Sequence, residues 1–278
     1  MSKTVLITGA SDGIGFEIAR KSVDLGYNVF MLARDPERLR RAADNILGPM
    51  RPRIMAVDLT DERSRKAFLI FMEEAELIPD ILVNNAGIGS AGEYAEVPWE
   101  KLEQLFRLNM LAVAHINHWA LKRMKARGSG AIVNMSSAVA TRPSPYFAAY
   151  AASKAFINSL SQALYVEAKP YGVSVSVVHP PEVRTRPNVN RQKADLSGTL
   201  ALRFLPSIAD YTVAKVVLKA AHGGQRSVAP GIVTWLAMAT AGKLPASLDL
   251  MLMTQLFKQR SWLKPKETPL PIKPGEVV

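Results

Sequence analysis

The sequence predicts an α/β fold: a doubly wound parallel sheet of about seven strands with helices on both faces. Three observations carry this. Short apolar runs rich in β-branched residues alternate along the chain with amphipathic helical stretches. Such alternation builds parallel sheets, because each parallel strand needs a crossover to reach its neighbour. The first strand runs straight into a glycine-rich turn and a helix, the order that opens a doubly wound sheet. The chain has 278 residues, with no internal repeat and no interdomain linker, so one sheet can be buried on both faces.

Residues 3–8 read as the first strand and residues 13–25 as its helix. Asn28–Leu32 is the second strand, followed by a helix over 36–47, with Asp35 as its cap and Pro36 at its first position. Residues 54–57 form the third strand, and a helix follows Thr60 and Asp61. Residues 81–83 form the fourth. A long helical region spans 98–127 and holds Asn109, a poor helix-interior residue whose presence predicts a kink or a water site. Residues 131–135 are the fifth strand, 149–168 a helix and 173–178 the sixth strand. A polar, turn-rich stretch over 184–206 is long enough to be a substrate loop. A helix over 208–221 and a short strand at 227–229 complete the alternation. The domain is expected to run from 1 to 260, with 231–258 as an apolar helical extension and 261–278 as a Pro-rich tail.

Composition excludes some chemistry. Cysteine is absent, which removes disulfides, thiolate metal sites and cysteine nucleophiles. His115 and His118 lie three apart, but no further ligands accompany them, so no metal is expected. The net charge is +11, which attracts anionic small molecules, anionic membranes or nucleic acid. No basic block carries interleaved aromatics, so nucleic acid ranks last. The N-terminus enters a strand without a signal-peptide pattern, and no apolar run is long enough to span a bilayer. A cytoplasmic protein is the expectation.

The glycine-rich turn reads Gly9-Ala10-Ser11-Asp12-Gly13-Ile14-Gly15. Glycines let backbone approach a pyrophosphate, and a helix N-terminus offers N–H groups and the positive end of its dipole. The second strand ends in Ala33-Arg34, where an NAD site usually carries an acid. A guanidinium there clamps a 2′-phosphate, so NADP(H) is the expected cofactor. Asp58, with Leu59 after it, is placed to accept from an adenine amine or to cap the next helix. Asn84-Asn85-Ala86-Gly87 ends the fourth strand, where amides tie strands together. In Tyr150-Ala151-Ala152-Ser153-Lys154, helical spacing puts the phenol and the ammonium on one face. A free phenol titrates near ~10, too high for proton exchange at neutral pH. Lowering it by about 3 units takes roughly 4 kcal/mol, which one ammonium at ~4 Å supplies at an effective dielectric of ~20.

Together, Thr8 to Gly15, Asn84-Asn85-Ala86-Gly87, Asn109, Ser137 and Tyr150-x-x-x-Lys154 resemble the short-chain dehydrogenase/reductase family in order and spacing, over roughly residues 1–225. The resemblance implies a Rossmann-like fold and hydride transfer between a nicotinamide and a carbonyl carbon. It implies Tyr150 as general acid in reduction and base in oxidation, with Lys154 lowering its pKa and holding the nicotinamide ribose. Ser137 would hold the substrate oxygen, and Asn109 a water that relays protons to Lys154. The turn from Gly9 through Ser11, Asp12, Gly13 and Ile14 to Gly15 takes the pyrophosphate side. Asp58, Leu59, Asn85, Ala86 and Gly87 take adenine and ribose contacts, and Pro180, Val183 and Thr185 the nicotinamide end. Ser136 sits one residue too early to replace Ser137, and Tyr146 lacks a lysine four residues on. The family usually has Pro-Gly after the sixth strand. Here it is Pro180-Pro181, so the backbone beside the nicotinamide must differ.

The extension over 231–258 breaks at Gly242 and Pro245 into two short helices with many bulky apolar residues. It resembles the tail of a bacterial subgroup whose better-known relatives reduce long-chain or lipid-like ketones. Two readings stand: a greasy lid or core element over the substrate cleft, and a membrane-surface patch flanked by Lys258, Arg260, Lys264 and Lys266. In the family the helices around 98–127 and 149–168 pack against their copies. The small residues Ala148, Ala149, Ala151, Ala152 and Ala155 would permit that, so a homodimer is expected, or a tetramer that accommodates the tail. The expected function is NADPH-dependent reduction of an apolar, acyl-chain or steroid-like ketone. The alternatives are a catalytically silent dinucleotide-binding sensor or scaffold, and an NAD-dependent alcohol oxidation by the same residues.

Overall fold

A computed structural model describes residues 3–181, the backbone of Val183–Arg184 and residues 208–257. Seven parallel strands form one sheet: β1 (Thr4–Thr8), β2 (Asn28–Ala33), β3 (Arg53–Ala56), β4 (Ile81–Asn84), β5 (Gly130–Met135), β6 (Val173–Val178) and β9 (Ser227–Val228). Their order is β3-β2-β1-β4-β5-β6-β9. A two-stranded piece, β7 (Val183–Arg184) with β8 (Ile208–Ala209), lies apart from it. The helices are α1 (Gly13–Asp24), α2 (Pro36–Asp44), α3 (Glu62–Glu74), α4 (Trp99–Phe106), α5 (Val113–Arg127), α6 (Ala148–Ala168), α7 (Asp210–Gly223), α8 (Ile232–Ala239) and α9 (Ala246–Phe257).

The side-chain period of two divides the core. Val5, Ile7, Met31 and Val83 face α1, α2 and α7 in one apolar cluster. Leu6, Phe30, Leu32 and Leu82 face α3 and α5 in the other. The central strands β1, β2 and β4 are therefore apolar on both sides, as a parallel sheet covered twice requires, while the edge strand β3 is largely exposed. The helices begin where the sequence supplies caps. Asp35 Oδ1 accepts from the backbone N–H of Glu37 and Arg38, each at 3.0 Å, with Pro36 at the first helical position. Asp61, not Asp58, caps α3, accepting from Ser64 N at 2.7 Å.

The strand order reverses direction between β1 and β4, and ligands of such sheets bind at the carboxyl ends near that point. Polar side chains stitch those ends together. Asn84 Nδ2 donates to Asn134 Oδ1 at 2.8 Å and to Asn117 Oδ1 at 3.2 Å. Asn85 Nδ2 donates to the carbonyls of Thr8 at 3.0 Å and Gly9 at 3.2 Å. The amides of Asn85 and Ala86 both donate to Thr8 Oγ1 at 3.0 Å. The irregularity foreseen at Asn109 is a widened, π-helical turn over Arg107–Ala112 between α4 and α5. Such turns interrupt the regular hydrogen-bond ladder and recur at functional sites.

Three expectations need correction. The last core helix starts at Asp210, because Ile208 and Ala209 pair with Val183 and Arg184 instead. The helix after β2 stops at Asp44 rather than 47. Ala149 and Ala151 are each 5% exposed and used up inside this chain, so only Ala148, Ala152 and Ala155 remain for a neighbouring copy. The stretch 184–206 beyond Arg184, Thr185, and the tail from 258 onward lie outside the described residues.

Asn84→Ala leaves the amide oxygens of Asn134 and Asn117 without this donor in the interior. Urea unfolding should show a loss of about 1–3 kcal/mol, the cost of stranding buried polar groups. An unchanged midpoint would show that the stitch carries no stability.

Candidate active site

The glycine turn forms a cradle. Gly9 has φ +66°, and a Cβ built there would lie 2.8 Å from Ala86 Cα. A Cβ on Gly15 would collide with the Gly9 carbonyl and come within 2.6 Å of Asn85 Nδ2. Asp12 caps α1, its Oδ1 accepting from Gly13 N at 2.6 Å, and its other oxygen lies 3.5 Å from an Arg38 nitrogen. A groove runs from Arg34 and Arg38 past Gly9, Ser11 and Asp58 to Gly87. Asp58 accepts from Thr60 N at 2.9 Å and Thr60 Oγ1 at 2.7 Å. Burial opposes ionisation of Asp58, but the Thr60 hydrogen bonds and the nearby Arg34 charge hold its pKa below the usual carboxylate value.

Ser137 follows β5, and Tyr150 and Lys154 lie on the first turns of α6. The Tyr150 hydroxyl lies beside the Ser137 side chain, whose hydrogen-bonding influence favours the phenolate. Lys154 is 5% exposed, and its Nζ donates to the Met135 carbonyl at 2.9 Å. A Cβ on Gly87 would sit 3.3 Å from Lys154 Nζ and 3.2 Å from Asn109 Oδ1. The groove therefore ends beside the ammonium. Asn109 is fully buried: its Oδ1 accepts from Ile88 N at 3.0 Å, and its Nδ2 donates to Ile88 O at 2.9 Å and Ser153 Oγ at 3.1 Å. Ser153 Oγ in turn donates to the Tyr150 carbonyl at 2.7 Å. The widened turn, the Gly87 loop and the start of α6 are one hydrogen-bonded unit.

The electrostatics of the chain's own groups run against one expectation. Lys154 Nζ lies 5.7 Å from the centre of the Tyr150 ring and spends its hydrogen bond on Met135. With the chain's own groups alone, burial raises the Tyr150 phenol above its ordinary value, and the Ser137 hydrogen bond only partly offsets this. Burial also lowers Lys154, to about 8. Desolvation opposes charge on both groups.

Of the sequence candidates, Gly9, Ser11, Arg34, Asp58, Leu59 and Gly87 share the groove. Asp12, Gly13, Ile14 and Gly15 do not line it but form the cap and start of α1, while Asn85 and Ala86 pack against Gly9. Pro180 accepts from Ala138 N at 3.0 Å, which ties the segment after β6 to the loop bearing Ser137. The side chain of Val183 and all of Thr185 lie outside the described residues. The two decoys have other work. Ser136 Oγ donates to the Lys154 carbonyl at 2.8 Å, pinning α6 to the sheet. Tyr146 sits at φ +66° in the turn before α6.

Two residues went unnoticed in the sequence. Arg38 lines the groove with Arg34; its place in the first turn of the capped helix that follows Arg34 was the available signal. His179 is fully buried, with Nδ1 3.3 Å from the Ser137 carbonyl, and burial lowers it to about 4. Nothing local in the sequence marks that burial.

Fold and groove define a dinucleotide-binding α/β protein with a Tyr–Lys–Ser cluster at the mouth of its sheet. The family model for short chain dehydrogenases matches residues 3–195. The chain belongs to the short-chain dehydrogenase/reductase family, whose members bind nicotinamide dinucleotides. It is 36% identical over 190 residues to a short chain dehydrogenase of Pseudocercospora fijiensis, covering 66% of this chain and 60% of that protein. It is 34% identical over 194 residues to 17-beta-hydroxysteroid dehydrogenase type 3 of Mus musculus, covering 66% of this chain and 61% of that one. The matches thus span about three fifths of these relatives' length. Among solved structures, a short-chain dehydrogenase from Sphingobium yanoikuyae in complex with NADPH superposes with a TM-score of 0.73 at 28% identity, over 87% of this chain and 94% of that one.

A lysine lowered by burial disfavours the fold below its unfolded pKa. Its contribution to stability is complete above about 10.4 and is lost as pH falls through about 8. Lys154→Met removes that dependence. Its urea midpoint should match wild type above pH ~10.4 and exceed it increasingly toward pH ~8, staying higher below. A variant less stable at pH 7 would show that the Met135 hydrogen bond outweighs desolvation.

Proposed function

We propose that this chain is an NADP(H)-dependent oxidoreductase acting between the carbonyl of an apolar ketone and the corresponding secondary alcohol. The observation that carries this reading is the meeting of Tyr150, Ser137 and Lys154 at the end of a groove built for a dinucleotide. The residues fit that cofactor: a Cβ-intolerant cradle at Gly9 and Gly15, two guanidiniums at the far end, and a buried ammonium at the near end. When bound, NADPH supplies the hydride.

The chain supplies the rest. Ser137 Oγ holds the substrate oxygen and stabilises the negative charge that develops on it. The Tyr150 hydroxyl gives that oxygen its proton; a phenol held up by burial keeps its proton at neutral pH, which suits the reductive direction. Lys154 holds the nicotinamide ribose. Both Asn109 Nδ2 hydrogens are committed to Ile88 and Ser153, so a water held for relay to Lys154 would donate to an Asn109 oxygen, side-chain or main-chain. Arg34 and Arg38 favour the 2′-phosphate. Asp35, the one acid that would favour NAD, is engaged as the cap of α2.

The apolar substrate follows from the wall beside Tyr150. Phe147 and Phe257 form a buried pair, and Tyr146, Tyr150, Met253 and Leu256 all pack against it. The steroid-dehydrogenase relative is consistent with such a substrate. We place the protein in the cytoplasm as a homodimer joined through the outer faces of α5 and α6. A second reading concerns the tail: Ile232, Trp235, Leu236 and Met251 are 68%, 55%, 49% and 54% exposed, which suits peripheral contact with a membrane surface. No helix among the described residues is long and apolar enough to cross a membrane.

NADPH absorbance should fall when the protein meets apolar ketones, and Tyr150→Phe should slow this by roughly 10²–10⁴-fold, the usual worth of a positioned acid. Equal rates would overturn the reading. Arg34→Ala and Arg38→Ala should each weaken NADPH binding about tenfold or more, as loss of a hydrogen bond to a charged group implies, while leaving NADH unaffected. Tighter binding of NAD than NADP by the wild type would reassign the cofactor.

A further inference from the structure

The helix α9 poses a packing problem. Its bulky apolar residues spread around the axis instead of forming one stripe: Leu248, Leu250, Met251 and Leu252 are 38%, 41%, 54% and 44% exposed, while Met253 and Leu256 are partly buried and Phe257 is buried. A helix with an amphipathic stripe turns that stripe inward. One whose apolar residues are spread in this way has little hydrophobic preference for any rotation about its axis. Something else must choose the face that meets Tyr150.

One side chain makes that choice. Arg142 ends the short helical turn Ala138–Thr141, five residues after Ser137. Its guanidinium donates to Asp249 Oδ1 at 2.8 Å, to the Ala237 carbonyl at 2.5 Å and to Thr240 Oγ1 at 3.3 Å. Ala237 belongs to α8 and Asp249 to α9, so both tail helices are fastened to the loop bearing Ser137. The ion pair is largely withdrawn from water, its side chains 12% and 11% exposed. Breaking a buried pair strands a charge, which makes such pairs suited to fixing register even where they add little net stability.

The register it fixes is the functional one. Asp249, Met253, Leu256 and Phe257 are spaced i, i+4, i+7 and i+8, a single helical stripe. Anchoring Asp249 on Arg142 brings the other three onto the Tyr150 side. Phe257 then meets Phe147, the residue that precedes α6, with ring centres 5.1 Å apart.

We propose that Arg142 is a positioning residue that sets the rotation of α9, and through it the apolar wall that selects bulky ketones. The proposal rests on the oxidoreductase reading above. Arg142 itself touches neither reacting atoms nor cofactor.

The test compares Arg142→Gln, Asp249→Asn, their combination and Arg142→Lys in the full-length protein. With a long-chain apolar ketone, each single variant should raise KM about tenfold with kcat within twofold. A compact ketone should react unchanged, and NADPH affinity should stay the same. The double variant should be no worse than either single, because both remove one pair. Arg142→Lys should recover part of the loss. Equal losses on both ketones, an unchanged KM, or additive single effects would overturn the proposal. Hydrogen exchange gives a readout independent of turnover: amides over 246–257 should exchange at least tenfold faster in Arg142→Gln and Asp249→Asn than in wild type. Unchanged exchange defeats the clamp even if ketones are reduced. Faster exchange with no ketone reduced by wild type leaves the clamp standing and defeats the oxidoreductase reading. Asp249→Asn is near-isosteric, so the test survives if Arg142→Gln fails to fold.

Discussion

A buried ammonium governs the geometry of this molecule. Lys154 lies inside the fold with its Nζ on the Met135 carbonyl, and among the described residues no carboxylate comes within ion-pair distance of it. Interiors seldom hold such a charge, since desolvation is only weakly offset by one neutral acceptor. The sheet enforces it. Ser136 bonds the Lys154 carbonyl, and further along α6 Asn134 Nδ2 donates to Ser161 Oγ at 2.9 Å. These bonds hold α6 against the end of β5 at two levels and keep the Lys154 backbone inside the fold. Tyr150, one turn earlier, is fixed by the same contacts and meets Ser137 from the end of β5.

Around that charge, the elements at the carboxyl edge of the sheet are joined by polar side chains, not by packing alone. Asn84 and Asn85 tie β4 to β5 and to the glycine turn. Asn109 ties the widened turn to the Gly87 loop and to α6. His179 places a ring nitrogen on the Ser137 carbonyl. Each bond spans elements far apart in sequence, so the cluster depends on the whole sheet being assembled. The apolar layers on the two faces supply the bulk of the stability; the amides set the positions.

Much of this was legible in the sequence, for identifiable reasons. Strands and helices announced themselves because period and caps are local: Asp35-Pro36 opens α2 as read, and the glycine turn lies where only glycine fits. Asn109 was legible as an irregularity because asparagine fits a regular helix poorly, though not as a π-turn. What escaped depends on burial or on distant partners. Whether Tyr150 is more or less acidic turns on the balance of desolvation and charge, which spacing alone does not give. The availability of Ala149 for a neighbour depended on which face of α6 meets Leu102 and Leu105 of α4. Arg142 finds Asp249 107 residues later, and no pattern near either residue marks the pair.

The ionisation of Tyr150 tests the central claim, that burial and not the neighbouring cation sets the phenol's acidity in the protein by itself. Ultraviolet difference titration of wild type against Tyr150→Phe isolates this one phenol among the seven tyrosines. Its phenolate absorbance should appear only at pH above the ordinary ~10 of a free phenol. A phenolate emerging near neutral pH would contradict the account and return the control of this proton to Lys154.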